Sequence, residues 1–213
     1  MKNSFLGLIL GWLTLCGDGA NAGPLCKKIS IEASPGYEFF ELCRSLDVLC
    51  GIDSLLGPSG DATVFEVQNV SGRIALSEIM THNPGHKWEF RRGILSVSPK
   101  RRTRDSPIDR HISVDFSSMT LTEIEAKLTK NMGIGFGSMS VGGSDASDST
   151  KISLFSKNVS VREVLDRVIR THGHSMWILR RQNLSESAPM YNLELYSYSI
   201  SQTAPRVKNR NEK

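Results

Sequence analysis

The chain contains nearly the same phrase twice: NVSVREVLDRVIRTHGH at residues 158–174 and NVSGRIALSEIMTHNPGH at residues 69–86. Each copy opens with Asn-Val-Ser, continues with apolar residues at helical spacing, and closes with two histidines. The serine of each phrase stands where a helix N-cap is expected. Two explanations are open: the histidines form a metal site, or the chain repeats a structural module.

The sequence around the phrase repeats as well. An alternating strand pattern at 29–33 returns at 112–116, and each is followed by apolar residues at helical spacing. In the first half these residues are Phe39, Leu42, Cys43, Leu46 and Cys50, and in the second they are Leu121, Ile124, Leu128 and Met132. Both predicted helices stop at a glycine, Gly51 or Gly133. A duplication explains this agreement with one assumption, whereas coincidence needs many.

The repeat predicts an α+β protein made of two tandem small modules. Each module reads β-α-β-β-α-β with a further strand, and its two helices are expected to pack on a short mixed sheet. The first module is predicted at 23–98 and the second at 111–200. Between them, 99–110 is rich in arginine and holds two prolines, which predicts a solvated basic linker. Residues 201–213 lack apolar periodicity and are predicted to be a disordered tail.

The first 22 residues have the three parts of a secretory signal peptide. Lys2 precedes an apolar run that is too short for a permanent membrane span, and Ala20 and Ala22 form an A-x-A cleavage pattern. A lipoprotein signal ending at Cys16 fits less well, because Leu15 is larger than the residue usual at that position. The sequence therefore predicts a periplasmic or secreted protein with no stable transmembrane segment after cleavage.

The charge balance and the missing motifs exclude several classes of function. The 26 basic residues barely exceed the 22 acidic ones, so no nucleic-acid partner is expected. No nucleophile elbow, zinc-protease, P-loop or C-x-x-C motif is present. The sequence therefore predicts neither an enzyme nor a cofactor.

The repeated pattern resembles the secretin/TonB short N-terminal domain, usually called STN. The resemblance rests on a helix that ends in glycine and an apolar residue, then a strand, the Asn-Val-Ser phrase, a second helix and an aromatic strand. It covers residues 28–98 and 110–180, and it implies two tandem copies of the domain. In that family the domain is a periplasmic interaction module, so the resemblance implies a fold and a location in a bacterial envelope.

The histidines are the candidates for a metal site. His82 and His86 flank one turn, and His172 and His174 flank the other, in H-x-x-x-H and H-x-H spacings that can bind a transition metal. The spacing differs between the copies, and polar residues also suit the end of a helix. The prediction is that they are turn residues, and a small periplasmic metal-binding protein is the alternative function.

The cysteines are the candidates for a disulfide. If 38–50 were one helix, Cys43 and Cys50 would lie about 10 Å apart along its axis, too far to bond. A helix antiparallel to the first strand would return its end to Cys26. This geometry favours a Cys26–Cys50 disulfide and leaves Cys43 as a buried thiol.

The leading functional hypothesis is an exported envelope protein that binds another protein. The partner is expected to be an envelope or secretion-system protein, and the oligomeric state is left open. The strand pattern at 191–200 is predicted either to cover a sheet edge within the chain or to contact the partner by strand addition. Its candidate contact residues are Tyr191, Leu193, Leu195, Tyr196 and Tyr198.

Overall fold

The computed structural model describes residues 23–56, 64–101, 106–136, 149–182 and 190–198. Within these ranges the α-helices are α1 (Glu38–Leu46), α2 (Gly72–His82), α3 (Leu121–Met132) and α4 (Val161–His172). The strands are β1 (Lys28–Ala33), β2 (Leu49–Leu56), β3 (Phe65–Ser71), β4 (His86–Arg91), β5 (Ile94–Pro99), β6 (His111–Met119), β7 (Gly135–Phe136), β8 (Ile152–Ser160), β9 (Ser175–Gln182) and β10 (Met190–Ser197). The predicted α+β class is confirmed. The predicted signal peptide at 1–22 and the predicted tail at 201–213 lie outside the described residues.

The two halves repeat one order of elements and meet in one sheet. Six strands lie in the order β4-β5-β2-β9-β10-β7, and two antiparallel pairs, β1–β3 and β6–β8, stand apart from it. β2 of the first half pairs in parallel with β9 of the second, from Cys50 opposite Met176 to Leu56 opposite Arg181. The halves are therefore joined by backbone hydrogen bonds.

The six-stranded sheet is covered by the helices of one half on each face. Met176 and Ile178 of β9 pack into the core that contains α1 and α2. Trp177 and Leu179, which alternate with them, pack into the core that contains α3 and α4. Because successive strand side chains point to opposite faces, the first pair of helices lies on one side of the sheet and the second pair on the other. Each core thus takes its helices from one half and its strand side chains from both halves.

Local hydrogen bonds are copied from one half to the other. Asn69 and Asn158 have positive φ angles of 51° and 50°. Each donates its backbone N–H to a serine of the strand paired with its own. Asn69 donates to Ser30 Oγ on β1 at 3.0 Å, and Asn158 donates to Ser113 Oγ on β6 at 3.1 Å. Asparagine tolerates this left-handed conformation better than most residues. The Asn-Val-Ser phrase is therefore a strand irregularity followed by a cap.

The caps are the second copied feature. Ser71 Oγ accepts from the N–H of Ile74 at 3.3 Å, and Ser160 Oγ accepts from the N–H of Glu163 at 3.2 Å. Both serines satisfy donors at the start of a helix, as the sequence pattern predicts.

The predicted linker at 99–110 is partly wrong. Pro107–Asp109 forms a short 3-10 helix, and Ile108 is 1% exposed. It is the counterpart of Pro24–Cys26 before β1, where Leu25 is buried. The apolar Ile108 side chain belongs to the second core, so the second half begins before residue 111. Residues 102–105 lie outside the described part of the chain.

The predicted Cys26–Cys50 disulfide is also wrong. Helix α1 ends at Leu46 rather than continuing to residue 50, because Asp47 takes a left-handed φ of 55° and reverses the chain. Cys50 then lies on β2 beside the helix, and it bonds to Cys43 with the two Cα atoms 6.2 Å apart. Cys43 is consequently not a free thiol. Gly51 lies inside β2, and the counterpart of Gly133 at the helix end is Asp47.

None of the helices in the described ranges is both long enough and apolar enough to cross a membrane.

Candidate functional site: an arginine-lined cleft

The predicted metal residues do not come together. Within the described residues, no group of three or more histidine, cysteine or acidic side chains is placed to hold a metal ion. His82 lies edge-on to the Phe65 ring with their centroids 6.4 Å apart, and His86 is buried. His174 Nδ1 lies 3.7 Å from an Asp47 carboxylate oxygen, and the His172 Nδ1 accepts from the His174 N–H at 3.4 Å. His82 and His172 thus end helices, His174 lies in the turn after α4, and His86 begins β4.

The predicted contact strand is an internal strand. Tyr191, Leu193, Tyr196 and Tyr198 are at most 9% exposed, and Leu195 is partly buried against the second core. β10 lies between β9, which pairs with it from Met190 to Ser197, and β7, which pairs with it at Asn192 and Leu193. Of the two alternatives that the sequence left open, this strand covers an edge within the chain, and its five candidate residues are not available to a partner.

A buried polar network ties β10 to the first half. Glu194 accepts from Arg180 Nε through both carboxylate oxygens at 3.0 Å, and it also accepts from the Tyr196 hydroxyl. Arg180 donates to the backbone oxygen of Gly36 at 3.3 Å and lies over the Tyr37 ring. Burial, followed by the hydrogen bond to Glu194, raises the pKa of the Tyr196 hydroxyl. The network is closed to solvent and is structural.

The open site is a cleft between β4, β5 and the start of α4. It has a volume of about 360 Å³ and is lined by arginine, carboxylate, serine and isoleucine side chains from both halves of the chain. The arginines are Arg91, Arg92, Arg162, Arg167 and Arg170, and the carboxylates are Glu89, Glu163 and Asp166. With Asp53, which pairs with Arg162, five guanidinium groups meet four carboxylates, so the cleft keeps an excess of positive charge. The N-terminus of α4 adds partial positive charge at the same end.

Two of the arginines are held in place by the protein. Arg162 pairs with Asp53, which is 1% exposed, and its guanidinium lies 5.4 Å from the centroid of the Trp177 ring. Arg167 pairs with Glu163 on the same helix and donates to Ser156 Oγ at 3.0 Å. These contacts fix the floor and one wall of the cleft.

The other three arginines face solvent. Arg91 and Arg92 come from the β4–β5 turn, where Arg92 has a φ of 53° and Gly93 a φ of 78°, as a tight two-residue hairpin requires. Arg170 comes from the last turn of α4. In the described part of the chain, no carboxylate forms an ion pair with any of the three. They are the groups that an anionic ligand would meet first.

Two of the three carboxylates of the cleft, Glu163 and Asp166, are already engaged by donors of the protein. Glu163 is held by Arg167, and Asp166 accepts from the Trp177 indole N–H at 2.9 Å. Burial raises the pKa of Asp166, although the indole N–H and the charges of Arg162 and Arg170 oppose the shift. The cleft therefore retains its capacity to bind a carboxylate or a similar anion.

Sequence reasoning missed this cleft. The arginines of the β4–β5 turn and those of α4 are separated by about seventy residues, and no local spacing connects them. They meet because β2 pairs with β9, which places α4 over the face of β4 and β5. The signal that was present is the Arg-Arg-Gly turn, where two charges stand at the tip of a hairpin.

Comparison with known proteins identifies no relative: no family model, no curated protein and no solved structure matches the chain significantly.

Proposed function

We propose that the chain is a protein-binding module of a bacterial envelope whose arginine-lined cleft holds an acidic segment of a partner protein. One observation carries this proposal: Arg91 and Arg92 from the first half and Arg170 from the second converge on one cleft, and among the described residues none of the three forms an ion pair with a carboxylate. Guanidinium groups pair with carboxylates in a planar, two-pronged geometry that fixes orientation as well as charge.

A protein segment suits the cleft better than a nucleic-acid backbone. The same walls carry Glu89, Glu163 and Asp166 between the arginines. A polyphosphate presents a charge at every step and would meet these carboxylates, whereas a peptide can alternate acidic residues with basic or neutral ones. The cleft thus favours a partner whose charges are spaced along an extended segment.

The location in the envelope is supported by the sequence and by the cysteines. The first 22 residues have the pattern of a signal peptide, and the repeat resembles STN domains, which are periplasmic interaction modules. The Cys43–Cys50 disulfide is of a kind that forms and persists in oxidising compartments such as the periplasm. These observations agree with an exported protein that contacts an envelope or secretion-system partner.

The test is a binding titration with defined peptides. A fluorescein-labelled extended peptide of alternating aspartate and valine is titrated with the protein at low ionic strength, and fluorescence anisotropy reports binding. A lysine–valine peptide of the same length is the matched ligand control. We expect the acidic peptide alone to bind, and its affinity to fall as salt screens the exposed charges.

Three variants locate the binding. Arg92→Glu/Arg170→Glu is expected to weaken binding of the acidic peptide at least tenfold, a change of about 1.4 kcal/mol. Arg170→Glu alone should also weaken binding, whereas Arg73→Glu, at an exposed arginine on α2 at the other face of the sheet, changes the net charge by the same amount and is expected to leave affinity nearly unchanged. Equal losses in Arg170→Glu and Arg73→Glu, or tighter binding of a single-stranded oligonucleotide than of the peptide, would refute the proposal.

A further inference from the structure

The six-stranded sheet consists of two copies of the same three-strand unit. In the first half the order is β4-β5-β2, and in the second it is β9-β10-β7. Each unit has an antiparallel hairpin, β4–β5 or β9–β10, followed by a parallel pair, β5–β2 or β10–β7. In each unit, therefore, one edge is a strand of the hairpin and the other edge is the strand that follows the first helix of that half.

The joint between the halves uses one edge of each kind. β2, the strand after α1, pairs in parallel with β9, the hairpin strand of the second unit. Among the strands that the structure describes, this leaves a hairpin strand, β4, at one end of the sheet and a strand that follows a helix, β7, at the other. The two remaining edges are of the two kinds that already pair inside the chain.

The operation that relates the two three-strand units does not close on itself, so it can be repeated along the sheet. The second unit has its strands reversed and its helices on the opposite face, so the two units are related by a half-turn with a translation along the sheet. Applying the half-turn and translation once more gives a unit whose strands run in the same direction as those of the first unit and whose helices lie on the same face. A second copy would therefore present its β4 parallel to β7, in a head-to-tail contact that leaves both outer edges unpaired.

The side chains of β4 also fit this contact. Across the first unit, Cys50 pairs with Leu95 and Leu95 with Phe90. Across the second, Phe136 pairs with Leu193 and Leu193 with Leu179. Phe90 is thus the counterpart of Leu179.

Counting two residues back along both hairpin strands makes Trp88 the counterpart of Trp177. The exposed fractions differ sharply: Trp88 is 36% and Phe90 37% exposed, whereas Trp177 and Leu179 are 0% exposed. On β9, Trp177 packs against Gly51 of the joint, whereas its counterpart on β4, Trp88, is left open. Exposed aromatics on a sheet edge are typical of a strand-pairing surface.

We propose that the chain assembles with further copies of itself, head to tail, by parallel pairing of β7 of one copy with β4 of the next. The internal joint places Met176 opposite Cys50, and Lys87 is the counterpart of Met176. The register between copies therefore sets Phe136 of one copy opposite Lys87 of the next. This proposal goes beyond the binding of an acidic segment and does not depend on it.

Cysteine cross-linking tests the register directly. In the described residues no cysteine is free, so Lys87→Cys and Phe136→Cys introduce reactive thiols, and the unsubstituted protein gives the background. A short bismaleimide is added to each variant alone and to an equal mixture. We expect a cross-linked dimer from the mixture and none from either variant alone, and the double variant is expected to give a ladder of larger species.

Two outcomes overturn the proposal. Cross-links from Lys87→Cys alone would mean that β4 pairs with itself in a closed dimer. No cross-link above background in the mixture would mean that the copies do not meet in this register.

Sedimentation velocity over a concentration series is the second measurement. Trp88→Lys/Phe90→Lys is expected to weaken self-association by about tenfold or more, because two charges would be placed in the contact. Phe155→Lys, a 72% exposed aromatic on β8 outside the six-stranded sheet, is the matched control and should associate like the unsubstituted protein. Equal self-association in all three proteins contradicts the proposal.

Peptide binding and head-to-tail assembly separate experimentally through Arg170, which belongs to α4 and to neither of the two strands proposed to pair, β4 and β7. Arg170→Glu is expected to lower affinity for the acidic peptide and to leave cross-linking unchanged. If the peptide never binds but the ladder forms, the cleft function is wrong and the head-to-tail contact stands.

Discussion

Glu125 provides the sharpest test of the packing between the second-half helices and β10. Its carboxylate lies on α3 and is 6% exposed. Its Oε2 accepts from the backbone N–H of Leu195 at 2.9 Å. Burial raises the pKa of Glu125 from 4.5 to about 7, with a further contribution from the charge of Glu194, while the hydrogen bond opposes the shift.

The direction of the pH dependence follows from this shift. Below pH 4.5 the carboxyl is protonated in both the folded and the unfolded chain, so it does not affect the free energy of unfolding. As pH rises from 4.5 to about 7, Glu125 ionises in the unfolded chain but not yet in the folded one, so the folded state loses stability over this range. At about 1.4 kcal/mol per pKa unit, the full penalty above pH 7 is about 3 kcal/mol.

Glu125→Gln removes the charge and keeps the oxygen that accepts from Leu195. We expect the variant to be more stable than the unsubstituted protein by about 1–3 kcal/mol at about pH 8, and to show no gain at about pH 4. The measurement is urea unfolding, followed by circular dichroism at a series of pH values. The gain should appear between about pH 4.5 and pH 8, because the ionisation of Glu125 lies there.

Glu123 on the same helix is the control with the opposite sign. It is exposed, and the Thr120 N–H donates to its carboxylate at 2.7 Å in a capping box, which lowers the pKa of Glu123. Glu123→Gln should lose stability at about pH 8 and lose less as pH falls. A Glu125→Gln effect that is the same at every pH would refute the buried, ionisable position assigned to this residue.

Three further predictions concern the backbone and the cysteines. Gly51→Ala should lower the free energy of unfolding by about 1–3 kcal/mol in a urea titration, because its Cβ would lie 2.5 Å from the indole ring of Trp177. Gly85→Ala is the control and should be nearly neutral, because the space around residue 85 is open. Peptide mapping without reductant should recover Cys43 joined to Cys50, and recovery of Cys50 joined to another cysteine would contradict the fold. Replacing both cysteines by alanine should lower the free energy of unfolding by about 2–3 kcal/mol, because the disulfide closes a short loop. Asn158→Gly should be tolerated and Asn158→Val should melt at a lower temperature, because φ is 50° there; equal melting temperatures would contradict this backbone geometry.

Features that depend on neighbouring residues were predictable from the sequence. The serine caps of α2 and α4 depend on contacts within one helical turn, and the alternation of β1 depends on the two-residue period of a strand. The repeated Asn-Val-Ser phrase reports a backbone conformation that occurs in both halves. These signals are local, so the pattern of residues is sufficient to predict them.

The disulfide shows how a periodic pattern can be carried too far. Cys50 continues the apolar spacing of Phe39, Leu42, Cys43 and Leu46, and this predicts a helix that reaches residue 50. The chain instead reverses at Asp47. Cys50 occupies a buried position because it lies on strand β2, not because it continues the helix. A helix and a strand that face the same core can place apolar residues in one continuous pattern, and periodicity alone does not separate them.

The pairing of β2 with β9 was the step that no local pattern could supply, and most of the functional geometry depends on it. This pairing places α4 over the first-half strands and so brings Arg170 to the same cleft as Arg91 and Arg92. It also buries Trp177 against Gly51, a close approach that any side chain at residue 51 would prevent. Neither half contains the cleft by itself. If the chain arose by duplication, its candidate binding site is therefore a product of the joint between the copies. A single ancestral module would have formed the same cleft only by pairing with a second molecule through the same two strand edges.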